Sequence, residues 1–325
     1  VSLYETFRDL PRPSRPGSFS AERTARSCRV AKSYEGHPAV LITFGKGTSR
    51  SLARRLAALV YVPPSPVDVV DSSGATTTTD IAILECTTID RRLASYFFDV
   101  SSSVLVPEAE SGDEQRFELA LDAVIALFRA LQRPGARTIQ GLWGELAIIA
   151  WSGRPIEALS AWHSSPRALH DFSVGSVRFE VKSTTSELRE HVFLLEQLSS
   201  RTAGATVIAS LLLQSDPHGS SVLDLVAAIR LRLNGQIEPM RRLEAVVAES
   251  LGASLDDVDE HRFDLDLARA SMLLFPASAI PTIPEPLPSE IRNVQFTVDL
   301  STANPVSADA VRAMGALYDS LLARA

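Results

Sequence analysis

The stretch Asp171-Phe-Ser-Val-Gly-Ser-Val-Arg-Phe-Glu180-Val-Lys182 decides the reading of this 325-residue chain. Gly175-Ser176 sits between two segments of alternating apolar residues, the signature of a two-residue β-hairpin. Such a turn pairs Val174 with Val177, Phe172 with Phe179 and Asp171 with Glu180. Successive side chains point to opposite faces of a strand. Phe172 and Phe179 therefore share one face, and Asp171 and Glu180 share the other. Lys182 follows Glu180 by the strand period of two and points the same way. Like charges directly opposite each other destabilise a strand pair, unless a cation lies between them. Two carboxylates and an ammonium above a packed apolar face describe a site for a divalent metal and an activated water.

The lysine carries weight because the chain hardly uses lysine. Lys32, Lys46 and Lys182 are the only three among 32 basic residues. Where either cation will serve, this chain takes arginine. A retained lysine marks a place that needs a compact, titratable charge.

Composition bounds the rest. The length suits one large or two modest domains, and 45% hydrophobic residues supply a core. No apolar run approaches the roughly 18 residues of a membrane span. Residues Glu5, Arg8 and Asp9 leave no room for a signal-peptide apolar region. Cys28 and Cys86 are too few and too isolated for a disulfide framework or a zinc site. A cytoplasmic protein is the expectation. The six histidines show no metal-ligand spacing. Net charge is −7, which argues against a passive nucleic-acid coat, yet residues 1–55 carry a formal +7. Such a basic end either steers a polyanion to one face or is a solvated arginine-rich segment.

Along the chain, residues 1–35 read as an extended lead-in or first edge strand. Strand-like runs follow at 39–44, 57–62 (stopped by Pro63-Pro64), 67–70, 80–87 and 96–106. Together they predict a small antiparallel β-rich module over 1–110. From Asp113 the period becomes helical, opening an α/β domain over 111–325. Helices are expected at 113–131 and 138–151. Glu145 lies at the edge of the apolar stripe of the second, where glutamates usually snorkel to solvent. As a partner of Asp171 and Glu180 it instead completes an oxygen set suited to Mg²⁺. After the hairpin come strands at 191–195 and 205–214, helices at 221–233 and 239–251, strands at 262–275 and 294–300, and a C-terminal helix at 307–325. The order is that of an α/β core with a mixed sheet flanked by helices.

These residues resemble the PD-(D/E)XK phosphodiesterases, the restriction-endonuclease-like superfamily. Its pattern is an acid opening one strand, an acid-x-lysine on the next, and a helical glutamate upstream. Gly141-Leu-Trp-Gly-Glu145-Leu, Asp171-Phe, Arg178-Phe-Glu-Val-Lys-Ser183 and His191-Val-Phe-Leu-Leu-Glu-Gln197-Leu are similar to one bacterial branch of that superfamily. The resemblance runs the length of the chain, with the specific motifs confined to 141–198. One departure is that His170, not proline, precedes Asp171. The resemblance implies a Mg²⁺-dependent nuclease, with Mn²⁺ able to substitute. In its roles Asp171 and Glu180 hold the metal, Glu145 helps, and Lys182 orients or activates water. It also implies a helicase or ATPase partner in a phage-defence locus.

Arg178 lies on the acidic face of the hairpin, and Arg189 and His191 lie just beyond it. They are either phosphate contacts or members of surface salt bridges. Gln197 opens the segment after the next strand, positioned to touch the site or a nucleic-acid backbone. Gly45-Lys-Gly-Thr-Ser49 has phosphate-loop residues in the wrong order, and His163-Ser164-Ser165 lacks a nucleophile-elbow context. Three functions remain in competition: a DNA endonuclease of restriction or anti-phage type, a nuclease-derived protein that binds DNA or a partner without cutting, and a metal-independent adaptor. Double-strand cleavage needs two sites, so a homodimer is compatible with the first.

Overall fold

The computed structural model describes residues 2–44, 52–56, 58–133, 135, 137–163, 168–198, 206–284, 287–288 and 290–322. Lys46 with its glycine-flanked run, and Ser164-Ser165, lie outside them. The chain folds as two compact units, Val1–Arg133 and Pro134–Ala325. The switch to helical period at Asp113 thus opens a helix of the first unit, and the second unit begins about twenty residues later than the period change suggests.

The first unit starts with a helix, α1 (Leu3–Asp9), closed by a reciprocal capping box between Ser2 and Glu5. Six strands follow: β1 (Phe19–Arg23), β2 (Cys28–Ser33), β3 (Pro38–Ile42), β4 (Arg54–Arg55), β5 (Leu59–Val70) and β6 (Thr76–Cys86). They are ordered β1-β2-β3-β6-β5-β4, and β1 also pairs in parallel with β5 through Phe19–Val69 and Ser20–Val70. That last pairing closes the sheet into a barrel, a closure the expected small antiparallel β-rich module did not specify. Phe19, Ala21, Ala31, Ala39, Leu41, Val67, Val69, Ile81 and Ile83 pack together inside it. All are odd-numbered, as one face of alternating strands requires. Closure removes exposed strand edges.

Two expectations for this unit fail for identifiable reasons. Pro63-Pro64 does not stop a strand; β5 runs through it, with a register shift between Val62 and Ser65. A bulge is where a strand tolerates residues that cannot donate. Residues 96–106 are helical: α2 (Arg91–Val100) passes through a π-helical turn, Ser101–Leu105, into α3 (Val106–Ser111). Tyr96, Phe97, Phe98, Val100, Val104 and Leu105 are all buried, and a helix buried on most sides reads like a buried strand. The unit ends with α4 (Glu114–Ala130), capped by Asp113.

The second unit holds α5 (Ile139–Trp151), α6 (Pro155–Ala161), β7 (Phe172–Val174), β8 (Val177–Thr184), β9 (Glu190–Leu194), α7 (Leu195–Leu198), β10 (Thr206–Leu212) and β11 (Ser215–Ser220). Then come α8 (Val222–Leu233), α9 (Ile237–Leu251), α10 (Leu265–Ser271), β12 (Leu273–Pro276), β13 (Gln295–Asp299), α11 (Ala308–Arg312) and α12 (Ala316–Leu321). Its main sheet runs β12-β10-β8-β7. β8 and β10 are parallel and the outer pairs antiparallel, a mixed sheet as the sequence indicates. β9 and β13 form a separate antiparallel ribbon over Phe193, Ile208, Phe275 and Leu300. The expected strand over 262–275 divides into α10, capped by Asp264, and the short β12. The C-terminal helix divides at Gly315 into α11 and α12, with Ser307 capping the first.

Candidate active site

The decisive hairpin has the register its sequence dictates: Phe172–Phe179, Ser173–Arg178 and Val174–Val177. Gly175 takes φ +57°, and Ser176 is not among the residues of positive φ. That is the pattern of a turn with glycine at the first central position. Phe172 and Phe179 are fully buried, with ring centroids 6.2 Å apart in an edge-on contact. Tyr318 of α12 covers them, its ring 6.2 Å from Phe179 and its hydroxyl donating to the Arg178 carbonyl at 3.1 Å.

On the other face the charged groups converge. The amide of Asp171 donates to Glu180 Oε2 at 3.3 Å, and Asp171 Oδ2 accepts from the Val181 amide at 2.8 Å. Lys182 Nζ lies 2.9 Å from Glu180 Oε1 and 3.3 Å from Gln197 Oε1, and 5.2 Å above the Phe193 ring. Gln197, buried at the end of β9 in α7, ties the cluster together. Its Nε2 donates to Glu180 Oε1 at 2.7 Å and to the Leu169 carbonyl at 3.0 Å, while its Oε1 also accepts from the Leu194 amide at 3.0 Å. Gln197 thus contacts both Glu180 and Lys182.

Glu145 does not snorkel to solvent. α5 is buried continuously from Leu142 to Ile149, so it has no wet edge at that position. Gly144 explains the close approach: a Cβ there would stand 3.3 Å from Val181 Cγ1 and 3.5 Å from the Ser183 side chain. The absent side chain lets α5 settle on β8, and Gln140 Nε2 fastens it by donating to the Ser183 carbonyl at 2.8 Å. Glu145 Oε2 then accepts from the Trp162 indole at 2.5 Å and pairs with Arg137. Arg137 also donates to the His163 carbonyl at 2.7 Å.

The electrostatics are uneven. Burial pushes Glu145 up to about 7; Arg137 and the Trp162 indole pull it back, and Glu180 adds to the rise. Asp171 is held well above the usual carboxylate range by burial, then by Glu145 and Glu180. Glu180 is also pushed up by burial, but Lys182 and His170 outweigh that and leave it below the ordinary range. Three carboxylates in low dielectric face two fixed cations, Arg137 and Lys182. A divalent cation there would favour the ionised form of all three, and oxygen donors of this kind suit Mg²⁺. Asp171 and Glu180 are the residues that would hold it, with Glu145 beside them. Among the described residues, however, the His/Cys/Asp/Glu group whose ligand atoms all lie within 4.8 Å of one another is Glu35, His37 and Glu85 in the first unit. There the His37 Nδ1–Glu85 Oε1 contact of 3.0 Å accounts for the association.

The remaining sequence candidates are placed differently. Arg178 turns back on its own hairpin, donating to the Gly175 carbonyl at 2.6 Å and the Val177 carbonyl at 3.0 Å. Arg189 and His191 are buried rather than at the surface. Arg189 is buried, with Nη1 donating to the Ser210 carbonyl and Oγ, both at 2.9 Å, and Nη2 to the Ser271 carbonyl. His191 is buried against Ser210 Oγ at 2.7 Å. Burial, helped by Lys182 and Arg189, pushes its imidazole down to about 4, so it is neutral at neutral pH. Both residues lock β9 to β10, and Ser210, a buried polar residue in an apolar strand, is the reason.

The sequence reading missed Arg137, Trp162 and His170. Arg137 precedes the N-cap of α5, so helical phase could not relate it to Glu145. His170, next to Asp171, is buried with its Nδ1 3.6 Å from Glu180 Oε2. Its adjacency to the acid is the one signal that could have found it.

Residues 3–301 match a protein family described as putative PD-(D/E)XK family member (DUF4420), and the chain belongs to that family. No curated protein and no solved structure matches the chain.

Proposed function

From that membership and the geometry of the second unit, we propose that this chain is a metal-dependent DNA endonuclease, working in the cytoplasm in restriction or anti-phage defence. Mg²⁺ is the cofactor of this reading, with Mn²⁺ as a substitute, and DNA its partner. The observation that carries it is the arrangement of Asp171, Glu180 and Lys182, with Gln197 fixing both of the last two. Buried like charges are costly, and a protein with no use for a cation has little reason to keep them together.

When bound, the metal supplies charge to the scissile phosphate and lowers the pKa of a water. The chain's own residues do the rest. Asp171 and Glu180 present oxygens from adjacent strands. Lys182 has three donors; two are directed at Glu180 and Gln197, leaving one for a water or a phosphoryl oxygen. Gln197 accepts a second bond from the lysine and sets its aim. Arg137 and Trp162 keep Glu145 in place beside Asp171. Cleavage of both strands would take two such sites, hence a homodimer, and a helicase or ATPase partner would deliver the substrate.

The test is supercoiled plasmid incubated with Mg²⁺ or Mn²⁺, with and without chelator. Wild type should nick or linearise it, and Lys182→Ala and Asp171→Ala should each lose about 10²-fold or more. Equal cutting by all three proteins would sink the reading. So would absence of cutting by the wild type with its partner proteins present, which would favour a chain that binds without cleaving.

A further inference from the structure

The first unit carries a pocket that the carboxylate site does not explain. It has a volume of about 220 Å³, lies between α1, the β2–β3 turn and the start of α2, and is lined by Tyr4, Arg8, Arg12, Lys32 and Ile89. We propose that it binds the phosphomonoester of a nucleotide, with the phosphate against the three cations and the base against Tyr4 and Ile89.

Charge comes first. Three cations share one small opening, and the acid beside them, Asp9, is already 3.1 Å from Arg8 Nε. Arg8 keeps its two terminal nitrogens outside that pair. Lys32 Nζ is fixed by the end of α1: it donates to the Arg8 carbonyl at 3.0 Å and to the Leu10 carbonyl, and lies 4.9 Å over the Phe7 ring. Two of its three donors are used, so one remains. Burial and then Arg12 make the Lys32 charge less favourable, a cost that an anion removes.

Arg12 is placed by a turn. Gly36 takes φ +91°, and a Cβ there would stand 2.5 Å from Arg12 Nη2 and 2.8 Å from its Cζ. The guanidinium therefore lies flat on the glycine. Among the described residues it makes no hydrogen bond or ion pair, so its fork is left for a ligand, and guanidinium matches phosphate in two-pronged fashion.

Shape narrows the class. The volume is below the roughly 300 Å³ of a cavity that encloses a whole drug-sized ligand. It suits a phosphate and its sugar, with a flat group lying outward. Ile89 is 78% exposed at the rim, and Tyr4 is half-buried beside it. An apolar and an aromatic side chain beside cations give a base somewhere to rest. Free nucleotides and the phosphorylated end of a strand share this chemistry.

Calorimetry on the full chain in chelator, where no cleavage can intervene, tests this apart from the nuclease reading. The probes are thymidine monophosphate, thymidine, inorganic phosphate, and a single-stranded oligonucleotide with and without a terminal phosphate. Thymidine monophosphate should bind, and thymidine at least roughly tenfold more weakly. Arg12→Glu, at an exposed side chain, should weaken monophosphate binding roughly tenfold or more, with an unchanged melting temperature. Ile89→Ser should weaken the monophosphate and leave inorganic phosphate unchanged. Lys182→Ala should leave the affinity for thymidine monophosphate at its wild-type value, since that residue lies outside the pocket. Displacement of the phosphorylated oligonucleotide by the monophosphate would identify a strand end, and binding of the monophosphate alone a free nucleotide; either supports the site. Monophosphate binding by Arg12→Glu equal to wild type would overturn it, as would thymidine binding as tightly as its monophosphate.

Discussion

The carboxylate cluster of the second unit and the cationic pocket of the first make opposite use of the same scarce residue. Lys182 stands among buried acids and neutralises Glu180 at 2.9 Å. Lys32 stands among cations and is held by the carbonyls at the end of α1. In the cluster, acids outnumber cations, and burial favours the protonated form of two of them until a cation arrives. At the pocket, the excess is positive and faces water. A buried excess is satisfied only by a compact ion with protein oxygens around it. An open one is satisfied by a larger anion arriving from solvent.

The comparison can be broken most severely at Arg137. Removing it leaves Glu145 in the interior without its cation, beside the Trp162 indole and Asp171. Arg137→Ala should cost about 3–5 kcal/mol in chelator, measured by urea unfolding. A loss no larger than that of an exposed arginine would mean that the cluster is not electrostatically closed. Arg189→Ala comes next, at about 2–3 kcal/mol, because its partners Ser210 and Ser271 lose a buried charged donor. The salt slope of DNA binding should stay unchanged; a slope reduced by about one would return Arg189 to the nucleic-acid interface.

A further test is pH dependence. Glu145 holds its proton more tightly folded than unfolded. From the ordinary 4.5 up to about 7 the folded chain keeps a proton that the unfolded chain has lost. Stability in chelator therefore falls as pH rises through that window, by at most about 1.4 kcal/mol per pH unit for one group. Asp171 has the same sign. Glu180, held low, has the opposite sign: its contribution is present above the ordinary carboxylate range and lost as pH falls. Urea melts at about pH 5 and about pH 7.5 should show the net fall, Glu145→Gln should flatten it, and added Mg²⁺ should offset it at the higher pH. A Glu145→Gln protein as pH-sensitive as wild type would remove Glu145 from the account.

Legibility followed the distance over which the determining contacts act. The hairpin register, the Gly175 turn and the helix starts at Asp113, Thr138, Ser221 and Ser307 are local, and all were readable. So was the mixed sheet, because the strands of its centre are short apolar runs with clear limits. The helix over 91–105 was misread because burial on most sides erases the polar face that marks a helix. The barrel was missed because it depends on Phe19 meeting Val69, fifty residues away, and nothing in either segment announces the partner.

The sequence by itself determined that Asp171 and Glu180 lie side by side with Lys182 on their face, since a two-residue turn and a period of two leave no other register. It also made lysine informative, through its rarity. Only the tertiary structure decided that Glu145 is buried, that Arg137, Trp162 and Gln197 hold the site, and that Arg189 and His191 belong to the core. Those outcomes turn on which helix packs on which strand. A missing side chain at Gly144 and a buried hydroxyl at Ser210 settle them, and neither acts until distant parts of the chain have met.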